Sequence, residues 1–164
     1  MRATEASQVT QQCGVLRHSE IKRLLEAQGL IENADPQCIQ PASYDVRVGK
    51  LYWLPGGKEI HTLDERGIIE VPPQGVVMIQ SVERFHLPPN IVGHTGPRRH
   101  LALRLMELRD SGAQIDPGYE AHLFSVLRNA SADVQHLGYS QPYATVEFKY
   151  TTSAKPKEGG CGKG

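Results

Sequence analysis

From Pro41 onward, short runs of β-branched and aromatic residues are cut repeatedly by proline and glycine, and that punctuation restricts the fold more than any other feature. Tyr44, Val46 and Val48 alternate with polar residues up to Gly49, and Leu51–Leu54 precede a Pro55-Gly56-Gly57 turn. Runs over Ile68–Val71, Val76–Val82 and Ile91–His94 follow, separated by Pro72-Pro73, Gly75 and Pro88-Pro89; Leu123–Leu127 and Ala144–Tyr150 complete the set. Alternation with period two is the mark of a strand with one buried face. Proline cannot donate to a central ladder, and glycine admits the positive φ that tight turns need. Many short strands joined this way predict an all-β sandwich or barrel rather than a parallel sheet flanked by helices.

Helical signal is sparse. Ser19 is placed as an N-cap, Ile21, Leu24 and Leu25 repeat at helical spacing, and Gly29 supplies the stop. Asn33 to Pro41 reads as loop. Arg99 to Arg109 is ambiguous: Leu101, Leu105 and Leu108 fall at i, i+4 and i+7, so a short helix or an irregular strand fits. Three segments are expected: a polar leader over residues 1–14, one domain over 15–152, and a Lys/Gly-rich tail over 153–164.

The chain of 164 residues is long enough to bury a core without cross-links. Its 18 basic and 18 acidic residues cancel, so nothing global recruits nucleic acid or an anionic membrane, and affinity for phosphate must come from a local cluster. No apolar run approaches the roughly 18 residues of a membrane span. Cys13, Cys38 and Cys161 are odd in number and far apart, which argues against a disulfide framework and suits free thiols in a reducing cytoplasm. No HExxH pair or Cys-x-x-Cys knuckle is present, so neither is a protein zinc site of the usual spacing.

Chemistry concentrates in Gly112-Ala113-Gln114-Ile115-Asp116-Pro117-Gly118-Tyr119. Pro117-Gly118 forces a turn, which is expected to hold Asp116 and Tyr119 on one side of a hairpin corner. A fixed carboxylate beside an aromatic suits activation of water next to a bound sugar or base, although Asp-Pro-Gly is also a common turn in its own right. Upstream, Arg98, Arg99, His100 and Arg104 form a basic cluster able to hold phosphate oxygens or, equally, to be a solvated stripe.

In order, Ser43-Tyr44-Asp45-Val46-Arg47-Val48-Gly49, Pro97-Arg98-Arg99-His100-Leu101-Ala102, Ile115-Asp116-Pro117-Gly118-Tyr119 and a strand ending at Asn129 resemble the dCTP deaminases and trimeric dUTPases. The resemblance spans about Leu16 to Phe148 and implies a distorted jelly-roll, the dUTPase-like β-clip, with an N-terminal helix and a short helical segment. It places Asp116 as the residue that activates the attacking water. It places Arg98, Arg99, His100 and Arg104 at the phosphates, and Gln114, Tyr119 and Asn129 in the rest of the substrate site. Tyr119 would lie under the deoxyribose, and the strand after it would read the pyrimidine through backbone groups. The resemblance further implies a deoxypyrimidine nucleoside triphosphate as ligand, Mg2+ carried by that triphosphate, and a homotrimer with shared sites.

The chain departs from the family pattern at several points. Arg99 and His100 stand where the family has two serines, and Ala121 where it has glycine. Val126 occupies the place of the glutamate that moves protons in the deaminase branch; Ser125, Leu127 and Arg128 beside it are not carboxylates either. The motif near the last strand is altered. On these grounds the main expectation is dUTP hydrolysis to dUMP and pyrophosphate, with dCTP deamination and a degenerate nucleotide-binding relative as the alternatives.

Overall fold

The computed structural model describes residues 14–57 and 59–151. The expected leader up to residue 13 and the expected tail from 153 lie outside the described residues; Gly14, assigned to that leader, belongs to the first strand. In chain order the elements are β1 (Gly14–Val15), α1 (His18–Gln28), β2 (Ile31–Glu32), a one-turn 3-10 helix (Pro36–Cys38), β3 (Tyr44–Trp53) and β4 (His61–Thr62). They continue with β5 (Ile68–Val71), β6 (Val76–His86), β7 (Ile91–Pro97), α2 (Arg99–Leu103), β8 (Met106–Leu108), β9 (Gln114–Ile115), β10 (Glu120–Asn129), β11 (Gln135–Gly138) and β12 (Pro142–Tyr150).

The strands form one antiparallel sheet in the order β8-β10-β6-β3-β12-β7-β9, with β1, β2 and β4 added to β12, β6 and β3, plus a small β5–β11 ribbon. The sheet curls because β3 changes partner along its length. Tyr44 to Arg47 pair with β12, whereas Val48 to Trp53 pair with β6. Strands that pass from one layer to another in this way make the corners of packed sheets. The buried faces of β6, β10 and β12, with Ile21 and Leu24 of α1, close one core around Tyr44, Phe85, Tyr143 and Phe148. A mainly β, curled antiparallel sheet with two helices is therefore the observed architecture.

Four local expectations change. Gly49 does not end a strand; it lies within β3, where the backbone of β6 comes so close that a Cβ would sit 2.6 Å from the Gln80 carbonyl oxygen and 2.8 Å from the Ser81 carbonyl group. Glycine is needed there for the approach, and it lets β3 bend across the corner. β6 runs on to His86 because its inward face continues through Ser81 and Glu83, polar residues that a hydrophobic pattern cannot follow. Ser19 is helical, and Arg17 is the N-cap; the Glu20 carboxylate accepts the Arg17 N–H at 3.2 Å, one half of a capping box. Gly29 ends α1 as expected, with φ of 61°. The segment after Arg98 is a short helix and then a strand: Leu105 has φ of 57° and is 57% exposed, so the three leucines never share one helical face.

Gly49→Ala is expected to lower stability by about 2–3 kcal/mol, because overpacking against backbone cannot relax by rotamer change. Thermal denaturation checks this, with Gly138→Ala as the control, since its Cβ would meet nothing nearer than 3.9 Å.

Candidate active site

Pro117 and Gly118 occupy the middle of a tight turn with φ of 80° at the glycine. The Tyr119 N–H closes the turn on the Asp116 carbonyl at 3.1 Å, and the Gly118 N–H donates to Leu87 at 2.9 Å. The turn is not a hairpin corner. β9 before it pairs with β7, while β10 after it pairs with β6, so it joins the two layers. Asp116 is exposed, and its Oδ1 accepts a hydrogen bond from Gln114 Nε2 at 2.7 Å. Tyr119 is half-buried against the core; its hydroxyl donates to the His122 carbonyl at 2.7 Å, and burial pushes its phenol pKa up. The corner thus holds the Asp116 carboxylate at the surface and anchors the Tyr119 ring against the core.

α2 carries the basic cluster, and the fold commits much of it to the protein itself. Arg98 Nη1 lies 2.5 Å from Oδ2 of Asp45, a side chain only 4% exposed. Burial pushes the Asp45 carboxyl above its ordinary range, and Arg98, His100 and Gln40 pull it back. Arg104 donates to Gln135 Oε1 at 2.8 Å and to the His136 carbonyl at 3.0 Å, tying α2 to β11. His100 is half-buried, with its pKa lowered by burial and then by Arg98 and Arg104. Arg99 points to solvent. Asn129 is fully buried: its amide donates to Val71 and Asp133 carbonyls, and its oxygen accepts from Ser131, so the side chain is used in shaping the turn after β10.

β10 forms the third wall. One edge pairs with β6 along most of its length, but the other meets β8 only at Leu127 to Asn129. At Val126 that second edge passes from strand to loop. The Val126 carbonyl accepts from the Arg109 N–H at 2.8 Å, and its N–H donates to Oδ1 of Asp110 at 3.1 Å. Phe124, two residues earlier, turns its N–H and C=O to the same side, beyond the end of β8. A bulge between His122 and Phe124 is held by His122 Nδ1, which donates to the Ser81 and Glu83 carbonyls, both at 3.0 Å. Ala121 is half-buried at the start of this strand. The Val126 side chain lines a shallow apolar pocket of about 310 Å³ with Trp53, Val76 and Met78.

Of the residues singled out from the sequence, Gln114 and Asp116 are hydrogen-bonded to each other, the Tyr119 N–H closes the same turn, and Arg98, His100 and Arg104 lie on or at the ends of one short helix. It missed Asp110, whose carboxylate reaches β10 from 16 positions upstream of Val126; no motif or periodicity marks it.

Comparison with known proteins supplies the rest. Residues 15–135 match the model of the dCTP deaminase-like family. The chain belongs to the dCTP deaminase-like family. A dCTP deaminase of Thermococcus gammatolerans is 32% identical over 124 residues, covering 76% of each chain. The dUMP-forming dCTP deaminase of Methanoregula boonei is 25% identical over 135 residues, covering 74% of this chain and 73% of that one. Among solved structures, the 2′-deoxycytidine 5′-triphosphate deaminase of Agrobacterium tumefaciens superposes with a TM-score of 0.72 at 16% identity, over 85% of this family member but only 49% of that longer chain. The dUTPase of Streptococcus mutans gives 0.52 at 16% identity, covering 72% of this chain and 92% of its own. A dUTPase mutant from phage phi11 of S. aureus, described with a structural Mg(II) ion, gives 0.53 at 11% identity, covering 81% and 92%. These structures share the fold. The curated relatives move the balance from dUTP hydrolysis, the main expectation from sequence, to the deaminase branch.

Arg98→Gln is expected to destabilise this deaminase-family domain by about 2–3 kcal/mol, somewhat less than loss of one partner from a fully buried pair, because Arg98 is one-third exposed. Without Arg98 the Asp45 pKa rises further, so the variant binds protons more tightly folded than unfolded and loses stability as pH rises through that value. Urea denaturation at pH 5 and pH 8 checks the sign: the deficit against wild type is larger at pH 8.

Proposed function

We propose that this chain adds water to a deoxycytidine nucleoside triphosphate and releases ammonia. The observation that carries the reading is the match to dCTP deaminases over about three quarters of both chains, at 32% identity for the relative from T. gammatolerans. The open edge of β10 supports it: at Phe124 a peptide donor and acceptor lie side by side, the complement of a pyrimidine edge that offers an acceptor and a donor together. Arg99, exposed at the start of α2, is outside the Asp45 ion pair that engages Arg98 and the hydrogen bonds to Gln135 and His136 that engage Arg104, and it supplies charge for the phosphates.

Phosphate hydrolysis is the second reading, favoured by Asp116. An exposed carboxylate fixed on a rigid turn and bonded to Gln114 suits the activation of one water. The two readings are compatible, since forming dUMP from dCTP requires both loss of the amino group and cleavage of the phosphate chain. Mg2+ would then enter on the triphosphate. The described residues offer no cluster of three or more His, Cys, Asp or Glu side chains to hold the ion, and the donor set here suits an ion bound chiefly by phosphate oxygens and water. A homotrimer, implied by the family resemblance, belongs to the same proposal.

Incubation of the protein with dCTP, dUTP and their ribose counterparts plus Mg2+, with products separated chromatographically, tests these readings. Ammonia with dUTP or dUMP from dCTP is the expected result. Pyrophosphate release from dUTP that falls at least about 100-fold in Asp116→Asn, with an unchanged melting temperature, establishes the hydrolytic step. Nucleotide-dependent stabilisation without any product leaves a binding protein. Sedimentation velocity is expected to give three times the 18.1 kDa of one chain; a monomer would exclude sites shared between subunits.

A further inference from the structure

Deamination needs a group that carries protons between water, the ring nitrogen and the departing amine. Val126 cannot do this, yet the fold brings a carboxylate to the same point of β10 from another part of the chain. Asp110 Oδ1 accepts the Val126 N–H at 3.1 Å, and Oδ2 accepts the Ser125 hydroxyl at 3.1 Å. We propose that Asp110 is the proton-carrying carboxylate of this enzyme, placed on the edge of β10 where the family's glutamate would rise from the strand itself. The assignment rests on the deaminase reading above.

The surroundings hold Asp110 as an oriented acceptor. Tyr143, fully buried between the layers, donates its hydroxyl hydrogen to Ser125 Oγ at 3.2 Å, and burial pushes its phenol pKa up so that it keeps that proton. Ser125 is 1% exposed; with its oxygen accepting from Tyr143, its single hydrogen goes to Asp110. The backbone is fixed too. The Asp110 carbonyl accepts from Thr95 Oγ1 at 2.9 Å and from the Ala113 N–H at 3.0 Å, and the Gly112 N–H donates to Thr95 at 2.8 Å. A carboxylate carries about four lone-pair sites, so two remain for a water. Asp110 is half-buried at the end of β8, next to the peptide edge of Phe124 that would hold the base. Glu107, the other acidic side chain in this segment, is engaged with Arg109 and Arg128.

The step balances without a co-reactant. The Asp110 carboxylate takes a proton from water as the oxygen bonds to C4 of cytosine, and passes it to N3. It then takes the new hydroxyl proton and gives it to the amino nitrogen; the C4–N bond breaks, ammonia leaves and C4 becomes a carbonyl. Water and cytosine are consumed, uracil and ammonia are formed, and the carboxylate is regenerated.

Ammonia release from dCTP by wild type, Asp110→Asn and the double variant Asp110→Asn/Val126→Glu tests the assignment. Asparagine keeps an acceptor for the Val126 N–H but cannot take a proton. Its kcat is expected to fall at least about 100-fold with little change in KM for dCTP, and the double variant is expected to regain activity. Asp110→Asn that deaminates within threefold of wild type overturns Asp110 and leaves the deaminase reading standing. A wild type that releases no ammonia overturns the reading and the assignment with it. If asparagine prevents folding, Asp110→Ala with added formate decides: formate-dependent recovery of ammonia release supports the role, and a folded variant that formate does not rescue refutes it.

Discussion

The buried pair of Arg47 and Glu83 is the constraint on which the rest of the structure depends. Glu83 lies on the inward face of β6 and is fully buried, where an unpaired carboxylate would be strongly destabilising. Arg47 meets it twice: Nε donates to Oε1 at 2.6 Å, and the backbone N–H donates to Oε2 at 2.9 Å. Tyr44 adds its hydroxyl at 3.2 Å while accepting the Asp35 N–H, and Arg47 Nη2 reaches the Asn33 carbonyl. A backbone donor in the set makes the pair a register device, because a slip of one residue would remove the N–H and turn the guanidinium to the wrong face. It sits where β3 leaves β12 for β6. The loop before β3, the corner of the sheet and the polar half of β6 are therefore fixed by one group of contacts.

From that corner the candidate site is assembled on rims. The Asp116 turn joins the two layers, α2 follows directly on β7, and the free edge of β10 lies where β8 stops. Charge is divided unevenly among them. Arg98 is matched to buried Asp45 and Arg104 to β11, so they hold the walls, while Arg99 and Asp116 remain exposed at the surface. Where the family resemblance implies paired serines the chain has the larger Arg99 and His100, and where it implies a strand glutamate the chain has Val126. Asp110, Ser125 and Tyr143 form a continuous chain of hydrogen bonds that meets β10 at the Val126 N–H.

Strand identity was legible wherever one face of a strand is apolar. Ile68–Val71 is found at the predicted bounds, and β10 and β12 extend only a few residues past the runs that announced them. Glycine misled at position 49, because its role there is close approach across a corner and not termination. Leu105 looked like part of a helical face, but a left-handed residue after α2 turns it outward. The Asp-Pro-Gly segment forms the tight turn that its sequence predicts, since Pro and Gly act through their own backbones. Its setting as a corner between layers was hidden, because strand partners are chosen by the whole sheet.

By itself the sequence determined the β class, the helix over the residues before Gly29, the rigid turn under Asp116 and the family, all properties set by local backbone preference, hydrophobic period or short motifs. Tertiary structure alone decided which charges are spent. That Arg98 pairs with Asp45, Arg47 with Glu83, and Asp110 with the edge of β10 depends on contacts between residues far apart in the chain. Burial and hydrogen-bond partners, the factors that decide whether a charged side chain serves the fold or a ligand, are created only when those strands meet.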